Sequence, residues 1–323
     1  MSETAAAIAN QTAARVLDGV RIAAEIKAEV AEEVKSAVAA GYTPGLAVVL
    51  VGDVAASQIY VRSKVKTCAE LGIYSEMHTP DASVTTEDLL ELVAQLNARD
   101  EIDGILIQLP LPAHVDTQRL LEAVHPSKDV DGFHPINAGR LLNGTDASEL
   151  LAPCTPAGIM EVLKRSNIPV SGVNAVVLGR SNIVGKPIAA MLINASATVT
   201  VCHSRTKNLA DFTREADILV AAIGRPGFVT KDMVKPGATL VDVGINRLTG
   251  EAEVVEFFPS EHPDHETRKA TFAKRGSTVI GDIAPMAFST SSAYTPVPGG
   301  VGALTIAMLM ANTVKAARMR RGK

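Results

Sequence analysis

Tryptophan is absent from this chain, and all aromatic residues together make up only 3% of it. The apolar set is dominated by alanine and valine instead, a choice that suits the tight packing of small side chains in α/β layers. Positive charge is also scarce: 31 Lys and Arg face 35 Asp and Glu, a formal net charge of -4. That balance argues against bulk nucleic-acid binding, which needs a basic face to neutralise phosphates. Cysteines number three, Cys68, Cys154 and Cys202, too few and too far apart for a disulfide framework or a metal knuckle. No apolar run reaches the roughly 18 residues needed to cross a membrane. Residues 1–14 show neither the basic start nor the apolar stretch of a targeting segment. The expectation is a cytoplasmic protein with reduced thiols, no bound metal, no membrane and no nucleic-acid partner. The basic end, Arg318, Arg320, Arg321 and Lys323, reads as a solvated tail.

What is present is alternation. A chain of 323 residues favours two domains. An apolar stripe of Ile22, Ile26, Val30 and Val34 predicts a helix over 20–40, followed by a buried strand over 46–51. Further helices are expected over 55–71, closed by Gly72, and over 86–98, with a strand over 105–109 ending at Pro110. Turn-rich residues near 143–157 mark a boundary, with Thr155 as helix cap and Pro156 at the first helical position. Strands at 175–178, 198–202, 218–222 and 239–243 then form a second alternating block. The pattern predicts two α/β domains built from parallel βαβ units. The polar stretch 249–294 reads as a surface insertion, and a final helix runs over 303–319.

In the second block, the strand over 175–178 enters Gly179-Arg180-Ser181 and, through Gly185-Lys186-Pro187, a helix. Glycine at such a turn lets backbone N–H groups approach a pyrophosphate at the positive helix end, although the spacing is not GxGxxG. NAD binders usually place an acid about 20 residues on to grip the ribose hydroxyls. Here no Asp or Glu occurs between Arg180 and Ala210, and the second strand ends in His203-Ser204-Arg205-Thr206-Lys207. A 2′-phosphate would be repelled by a carboxylate and held by Arg180, Ser204 and Arg205, so the reading is NADP rather than NAD. Gly224 to Gly227 and Gly244-Ile245 end two more strands and should border the nicotinamide side.

In the first block, Tyr60 and Lys64 share a helix face beside the apolar row of Val61, Val65 and Cys68. Periodicity makes Lys64 an ordinary snorkelling surface lysine. Held against an apolar wall, it would instead have a lowered pKa fit for acid/base work. Gln108 is the polar residue of an apolar strand end, serving either to bond a loop or to offer a neutral amide to a ligand. Asp129 and Asp131, two apart before Gly132, suit turn formation; without a His or Glu at ligand spacing they make no metal site. Pro296 to Gly302 precede the last helix, where stiff prolines and permissive glycines form a loop able to approach a flat ligand closely.

Tyr60 to Lys64, Gly104 to Pro112, Lys128 to Gly132, Pro153 to Pro156, Gly179-Arg180-Ser181 with Gly185 to Pro187, and Thr295 to Gly302 occur together and in order. In these segments the chain resembles the bifunctional methylenetetrahydrofolate dehydrogenase/methenyltetrahydrofolate cyclohydrolase family, over nearly its whole length. The resemblance implies a folate-binding catalytic domain over 14–157, completed by helix 303–319 packing back on it. It also implies an NADP-binding Rossmann-like domain over 158–302, and a folate held between the two. Lys64 becomes the cyclohydrolase residue, with Tyr60 and Gln108 beside it, and Asp131 the holder of the pterin. Pro298, Gly299, Gly300 and Gly302 border the folate. Gly179, Arg180, Ser181, Ser204 and Ile245 contact the dinucleotide, with Arg205 beside them. A homodimer feeding one-carbon metabolism and purine biosynthesis follows. Two departures stand out: the stretch between Asn246 and Thr295 is longer than the family's usual one, and Ala303 stands where a proline is common. Two rivals remain: another NADP-dependent oxidoreductase acting on a small acid or ketone, which leaves Tyr60 and Lys64 unexplained, and a nucleotide sensor without activity, which leaves Lys64, Gln108 and Asp131 unexplained.

Overall fold

The computed structural model describes residues 14–53 and 55–322; the segment before Ala14 and Lys323 lie outside the described residues. In chain order the first elements are β1 (Arg15–Val16), α1 (Gly19–Ala39), β2 (Gly45–Val49), α2 (Ala55–Leu71), β3 (Tyr74–His78), α3 (Thr86–Ala98), β4 (Gly104–Ile107), α4 (Thr117–Ala123), α5 (Pro135–Leu142) and α6 (Cys154–Arg165). There follow β5 (Asn174–Leu178), α7 (Gly185–Asn194), β6 (Thr198–Cys202), α8 (Leu209–Thr213), β7 (Ile218–Ala221) and β8 (Thr239–Asp242). The chain ends with β9 (Asn246–Leu248), α9 (Glu251–Phe257), α10 (His265–Arg275), β10 (Thr278–Ile280), β11 (Ala293–Tyr294) and α11 (Val301–Arg321). Two compact units result. One gathers Val20–Glu161, Ser181–Asn194 and the described residues from Ala303 on; the other gathers the described residues up to Gly19, Val162–Arg180 and Ala195–Gly302.

The first unit is built on a parallel sheet in the order β3-β2-β4. Strands β2 and β4 are apolar throughout and wholly buried, as parallel strands covered on both faces must be. The edge strand β3 carries Tyr74, Glu76 and His78 and was missed by the apolar pattern. Helix α3 starts on a capping box: Thr85 accepts from the Asp88 N–H, and Asp88 accepts in return from the Thr85 N–H. Its Leu89, Val93 and Leu96 pack on Ile105 and Ile107 of β4.

Helix α11 belongs to this unit for most of its length, as the C-terminal helix was expected to do. Leu304 lies so close to α6 that a Cβ on Gly158 would stand 2.8 Å from its own Cβ. Asn312 Nδ2 donates to the carbonyls of Val130 and Ala152, both at 2.8 Å. Two sequence readings are corrected here. Helix α6 begins at Cys154, so Thr155 and Pro156 lie inside its first turn; the Thr155 hydroxyl is taken up by Thr305 of α11, 3.0 Å away, instead of capping. The basic end of α11 is no solvated tail. Asp103, 0% exposed, accepts from Arg320 Nη1 at 2.6 Å and from Arg321 Nε and Nη2 at 2.9 and 2.7 Å. Burial pushes the Asp103 carboxyl up, and the two guanidiniums pull it back.

The second unit carries a six-stranded, wholly parallel sheet in the order β1-β11-β8-β7-β5-β6. Val176, Leu178, Leu219, Ala221 and Leu240 form its core with Val229, Ile283 and Ala287. The 249–294 stretch is not a loose surface insertion. Strands β9 and β10 pair antiparallel, and α9 and α10 fill the connection between them. Leu248, Val254, Phe258 and Ile280, with Phe257 and Phe272, give it a small core of its own.

Candidate active site

In the first unit, one face of α2 buries Val61, Lys64, Thr67 and Cys68. Lys64 is 4% exposed, so the surface reading that periodicity favoured is overturned. Its amine donates to Gln108 Oε1 at 3.0 Å and lies 4.6 Å from the centroid of the Tyr60 ring. Gln108 stands just past the carboxyl end of β4, and its Nε2 donates to the Leu109 carbonyl at 2.7 Å. That second bond fixes the amide so that its oxygen faces the amine. Burial lowers the Lys64 pKa below the ordinary lysine value, and nearby Asp131 partly offsets the effect. Burial likewise pushes the Tyr60 phenol up to about 12, against a hydrogen bond from Thr305.

The two acids of the Lys128 to Gly132 segment divide their work. Asp129 forms the turn: it accepts from the Phe133 and His134 N–H groups and from Asn137 Nδ2. Lys128 closes the end of α3, donating to the carbonyls of Leu96, Asn97 and Arg99. Asp131 is bonded to no backbone N–H among the described residues and feels the Lys64 charge most strongly. Burial pushes its carboxyl up. Cys154, at the start of α6, joins the cluster; its thiol donates to the Val130 carbonyl at 3.3 Å and is pushed well up by burial. Sequence reasoning had singled out neither Cys154 nor Thr305 as neighbours of the amine. Only the resemblance carried Asp131 to this place.

In the second unit, the turn after β5 needs its glycine. Gly179 has φ +116°, and a Cβ there would stand 2.2 Å from the Ala222 carbonyl oxygen. Arg180 is exposed, as are Ser204 and Arg205 beyond β6. The β6 turn is held by its own bonds, from the His203 N–H to Thr206 Oγ1 and from the Arg205 N–H to His203 Nδ1. Ile245 is 67% exposed, and its Cδ1 would lie 3.3 Å from a Cβ placed on Gly302. The 295–302 loop and the residue beyond β8 therefore meet within this unit. In the loop, Gly299 has φ +103°, and Gly300 is pressed so close to the Pro296 carbonyl that a Cβ would reach 2.6 Å. Ser181, in the first unit, accepts from the Val184 and Gly185 N–H groups at 3.2 Å, which leaves its own proton available to a ligand.

Two buried acids were missed altogether. Asp282 accepts from the N–H groups of Ile223, Gly224 and Arg225 and from Asn246 Nδ2, at 2.7 to 2.9 Å. Asp242, at the end of β8, accepts from the N–H groups of Gly244, Asp282 and Ile283. Together they lace the turns after β7 and β8 to the turn after β10. Burial pushes the Asp242 carboxyl up to about 7.

Comparison with known proteins places these two sets of residues in one lineage. Residues 17–131 match the catalytic domain of tetrahydrofolate dehydrogenase/cyclohydrolase, and residues 153–321 match its NAD(P)-binding domain. The chain is 62% identical to the bifunctional protein FolD of Koribacter versatilis, over 96% of this chain and 98% of that one. With the FolD of Solibacter usitatus the identity is 55%, over 95% and 99%.

The chain belongs to the tetrahydrofolate dehydrogenase/cyclohydrolase family.

Solved structures agree. The bifunctional FolD enzyme of Campylobacter jejuni superposes with a TM-score of 0.85 at 45% identity, over 95% of this chain and 100% of that one. The Trypanosoma brucei dehydrogenase-cyclohydrolase, solved with NADP cofactor and an inhibitor, gives 0.84 at 36%, over 96% and 99%. The catalytic-domain match contains Tyr60, Lys64, Gln108 and Asp131, and the NAD(P)-binding match contains Gly179 to Ser181, Ser204, Arg205, Ile245 and Pro298 to Gly302. An unrelated oxidoreductase of small acids or ketones does not account for the first match. The residues of a tetrahydrofolate dehydrogenase/cyclohydrolase also fit a phosphorylated dinucleotide here. Gly179 keeps the turn after β5 free of a side chain, and exposed Ser204 and Arg205, without an acid beside them, have the chemistry to suit a 2′-phosphate. No helix among the described residues is long and apolar enough to cross a membrane.

Proposed function

We propose that this chain oxidises 5,10-methylenetetrahydrofolate to 5,10-methenyltetrahydrofolate with NADP+ and then hydrolyses the product to 10-formyltetrahydrofolate. It would do so in one-carbon metabolism, as a cytoplasmic homodimer. The observation that carries the reading is the buried Lys64 amine, held by Gln108 within reach of the Asp131 charge. NADP+, when bound, accepts the hydride of the methylene bridge. Arg180, Ser204 and Arg205 would hold its 2′-phosphate, Gly179 and Ser181 its pyrophosphate, and Ile245 would line the nicotinamide side. Asp131 would accept from the pterin's amino and ring N–H groups, a double acceptor for a double donor. Tyr60 would wall the ring, and Pro298, Gly299, Gly300 and Gly302 would border it.

Loss of hydride leaves a cation shared by two nitrogens, open to water. With its pKa lowered, Lys64 has a share of neutral amine whose lone pair takes a proton from that water. Gln108 accepts from the same amine and so aims the lone pair. The water oxygen bonds to the bridging carbon, one carbon–nitrogen bond breaks, and a proton is released. The balance is methenyl cation plus water to formyl product plus one proton.

The test is a spectrophotometric assay with methylenetetrahydrofolate, NADP+ and NAD+ compared. Turnover with a clear preference for NADP+ is expected. Arg180→Ala with Ser204→Ala should weaken NADP+ by about tenfold or more and leave NAD+ little changed, since each charge-assisted bond to phosphate contributes about 1.5–3 kcal/mol. No turnover refutes the activity, and an unchanged preference in the double variant refutes the cofactor assignment.

A further inference from the structure

Helix α10 lies in the long 249–294 stretch, and none of the enzyme's proposed chemistry uses it. One of its side chains nevertheless reaches the loop proposed to border folate. Arg268 is 13% exposed. Its Nη1 donates to the Val279 carbonyl of β10 at 3.0 Å, and its Nη2 donates to the Val297 carbonyl at 2.7 Å. The guanidinium also stacks over the Phe258 ring, 4.7 Å from its centroid, and faces Asp264 at 3.7 Å. It is thus gripped on several sides and has little freedom.

The loop it touches is fixed at one end only a few residues away. Thr295 is fully buried, bonds the Leu240 carbonyl through its N–H, and accepts from the Asp242 N–H through its hydroxyl. Beyond that anchor, Pro296 and Val297 border a cavity of about 500 Å³, shared with Arg268, Phe258 and Met286. A chain segment beside open space moves unless something holds it. At Val297 the Arg268 guanidinium does the holding, and the next five residues carry the chain through the loop into the first turn of α11, where Gly302 meets Ile245.

We propose that Arg268 is a positioning residue for the dehydrogenase step: it holds the Val297 carbonyl, and through it the Pro298 to Gly302 loop, at the place where that loop meets Ile245. The inference rests on the functional reading above. A loop displaced by about 1 Å costs hydride transfer up to about 100-fold, because donor and acceptor must be aligned. Hydrolysis uses the same folate site, but its reacting groups, Lys64, Gln108 and water, need no alignment with the nicotinamide, so its kcat should fall far less.

The experiment compares Arg268→Ala, Arg268→Gln and Arg268→Lys with the parent enzyme. For the Ala and Gln variants, kcat for oxidation of methylenetetrahydrofolate should fall about tenfold or more. The deuterium isotope effect on that kcat, measured with substrate labelled at the methylene bridge, should rise as hydride transfer becomes rate-limiting. The kcat for hydrolysis of saturating methenyltetrahydrofolate supplied directly, and affinity for NADP+, should stay within about twofold. Lysine has a single donor nitrogen where arginine sets two apart to reach both carbonyls, so Arg268→Lys should fall between parent and alanine variant. Equal loss of both activities would mark a merely structural residue and overturn the proposal. So would folded variants with unchanged oxidation. Should the alanine variant fail to fold, the Gln and Lys variants decide by the same criteria. A parent enzyme inert toward methylenetetrahydrofolate refutes the functional reading and this inference with it, whereas an active parent with indifferent variants refutes this inference alone.

Discussion

Two pairs of ionisable side chains withdrawn from water are treated in opposite ways: Asp242 with Asp282 in the second unit, and Lys64 with Asp131 in the first. The first unit also holds saturated groups in Asp103, Lys128 and Asp129. In the second unit Asp242 and Asp282 are 1% and 0% exposed, and between them they accept from six backbone N–H groups and one amide. Those acceptor sites are committed to holding turns, and little is left for a ligand. In the first unit Lys64 is also withdrawn from water, yet among the described residues its amine donates to Gln108 alone, and Asp131 takes no backbone N–H. Burial with saturation makes a brace. Burial without it leaves a lone pair or a proton for a substrate, at a cost in stability that the rest of the fold offsets.

The largest effect should come from emptying the unsaturated site. Lys64→Met replaces the amine by an apolar side chain of similar length. Hydrolysis of methenyltetrahydrofolate should fall about 10²–10⁴-fold, the range for loss of a positioned base. Stability should change only modestly, because relief of the amine's desolvation is set against the partner lost by Asp131 and by Gln108 Oε1. In the parent enzyme the hydrolysis rate should climb as pH rises through the lowered Lys64 pKa, where the amine sheds its proton; the variant should show no such climb. Initial rates across pH, with a thermal melt at each, decide it. Normal turnover by the variant would put Lys64 outside the chemistry and make the contrast between the two pairs an accident of packing.

The same contrast explains what could be read from the chain alone. Parallel strands and long helices were legible because β2, β4, β5, β7 and β8 are buried on both faces and advertise it as apolar runs. Lys64 was legible as a residue and not as a buried one: the apolar row was read through Val61, Val65 and Cys68, whereas the buried face runs through Val61, Lys64 and Thr67. A lysine on the wrong side of a helix breaks the local rule, which is what a working site does. Asp242 and Asp282 were invisible because their donors lie about 40 to 60 positions away for the most part. Arg320 and Arg321 looked like a tail for the same reason, their partner Asp103 being more than 200 residues upstream. Helix α10 buries no residue fully and is held by Phe272 and Arg268, so no apolar stripe announced it.

A smaller effect, on stability, should follow from breaking the brace. Asp282→Ala strands three backbone N–H groups and the Asn246 amide. Each orphaned donor costs about 1–3 kcal/mol, and turns that relax toward water recover part of it, so a net loss of about 3 kcal/mol is expected. Urea unfolding should show it as a lower midpoint at unchanged slope. Asp282→Asn keeps one oxygen and should lose less. Because the turns after β7 and β8 are proposed to border the nicotinamide, NADP+ affinity should weaken alongside stability. A variant as stable as the parent would mean that these bonds are incidental.

The last effect is a slope rather than a single loss, and it separates a brace from a proton donor. Burial raises the Asp242 carboxyl to about 7 in the folded chain, against an ordinary 3.8. A raised carboxyl binds its proton more tightly when folded than when unfolded. Its contribution to stability is therefore complete below the ordinary value and is lost as pH rises through the folded one. Between about pH 4 and 7 the parent should lose stability with rising pH. Asp242→Asn removes the titration, so its stability should change less steeply over that window even though the amide, facing three N–H donors, starts from a lower value. Denaturant midpoints at several pH values measure both slopes. Parallel slopes would show that the three N–H donors keep this carboxylate charged despite its burial, and the saturation that marks this pair would then be stronger than the desolvation it opposes.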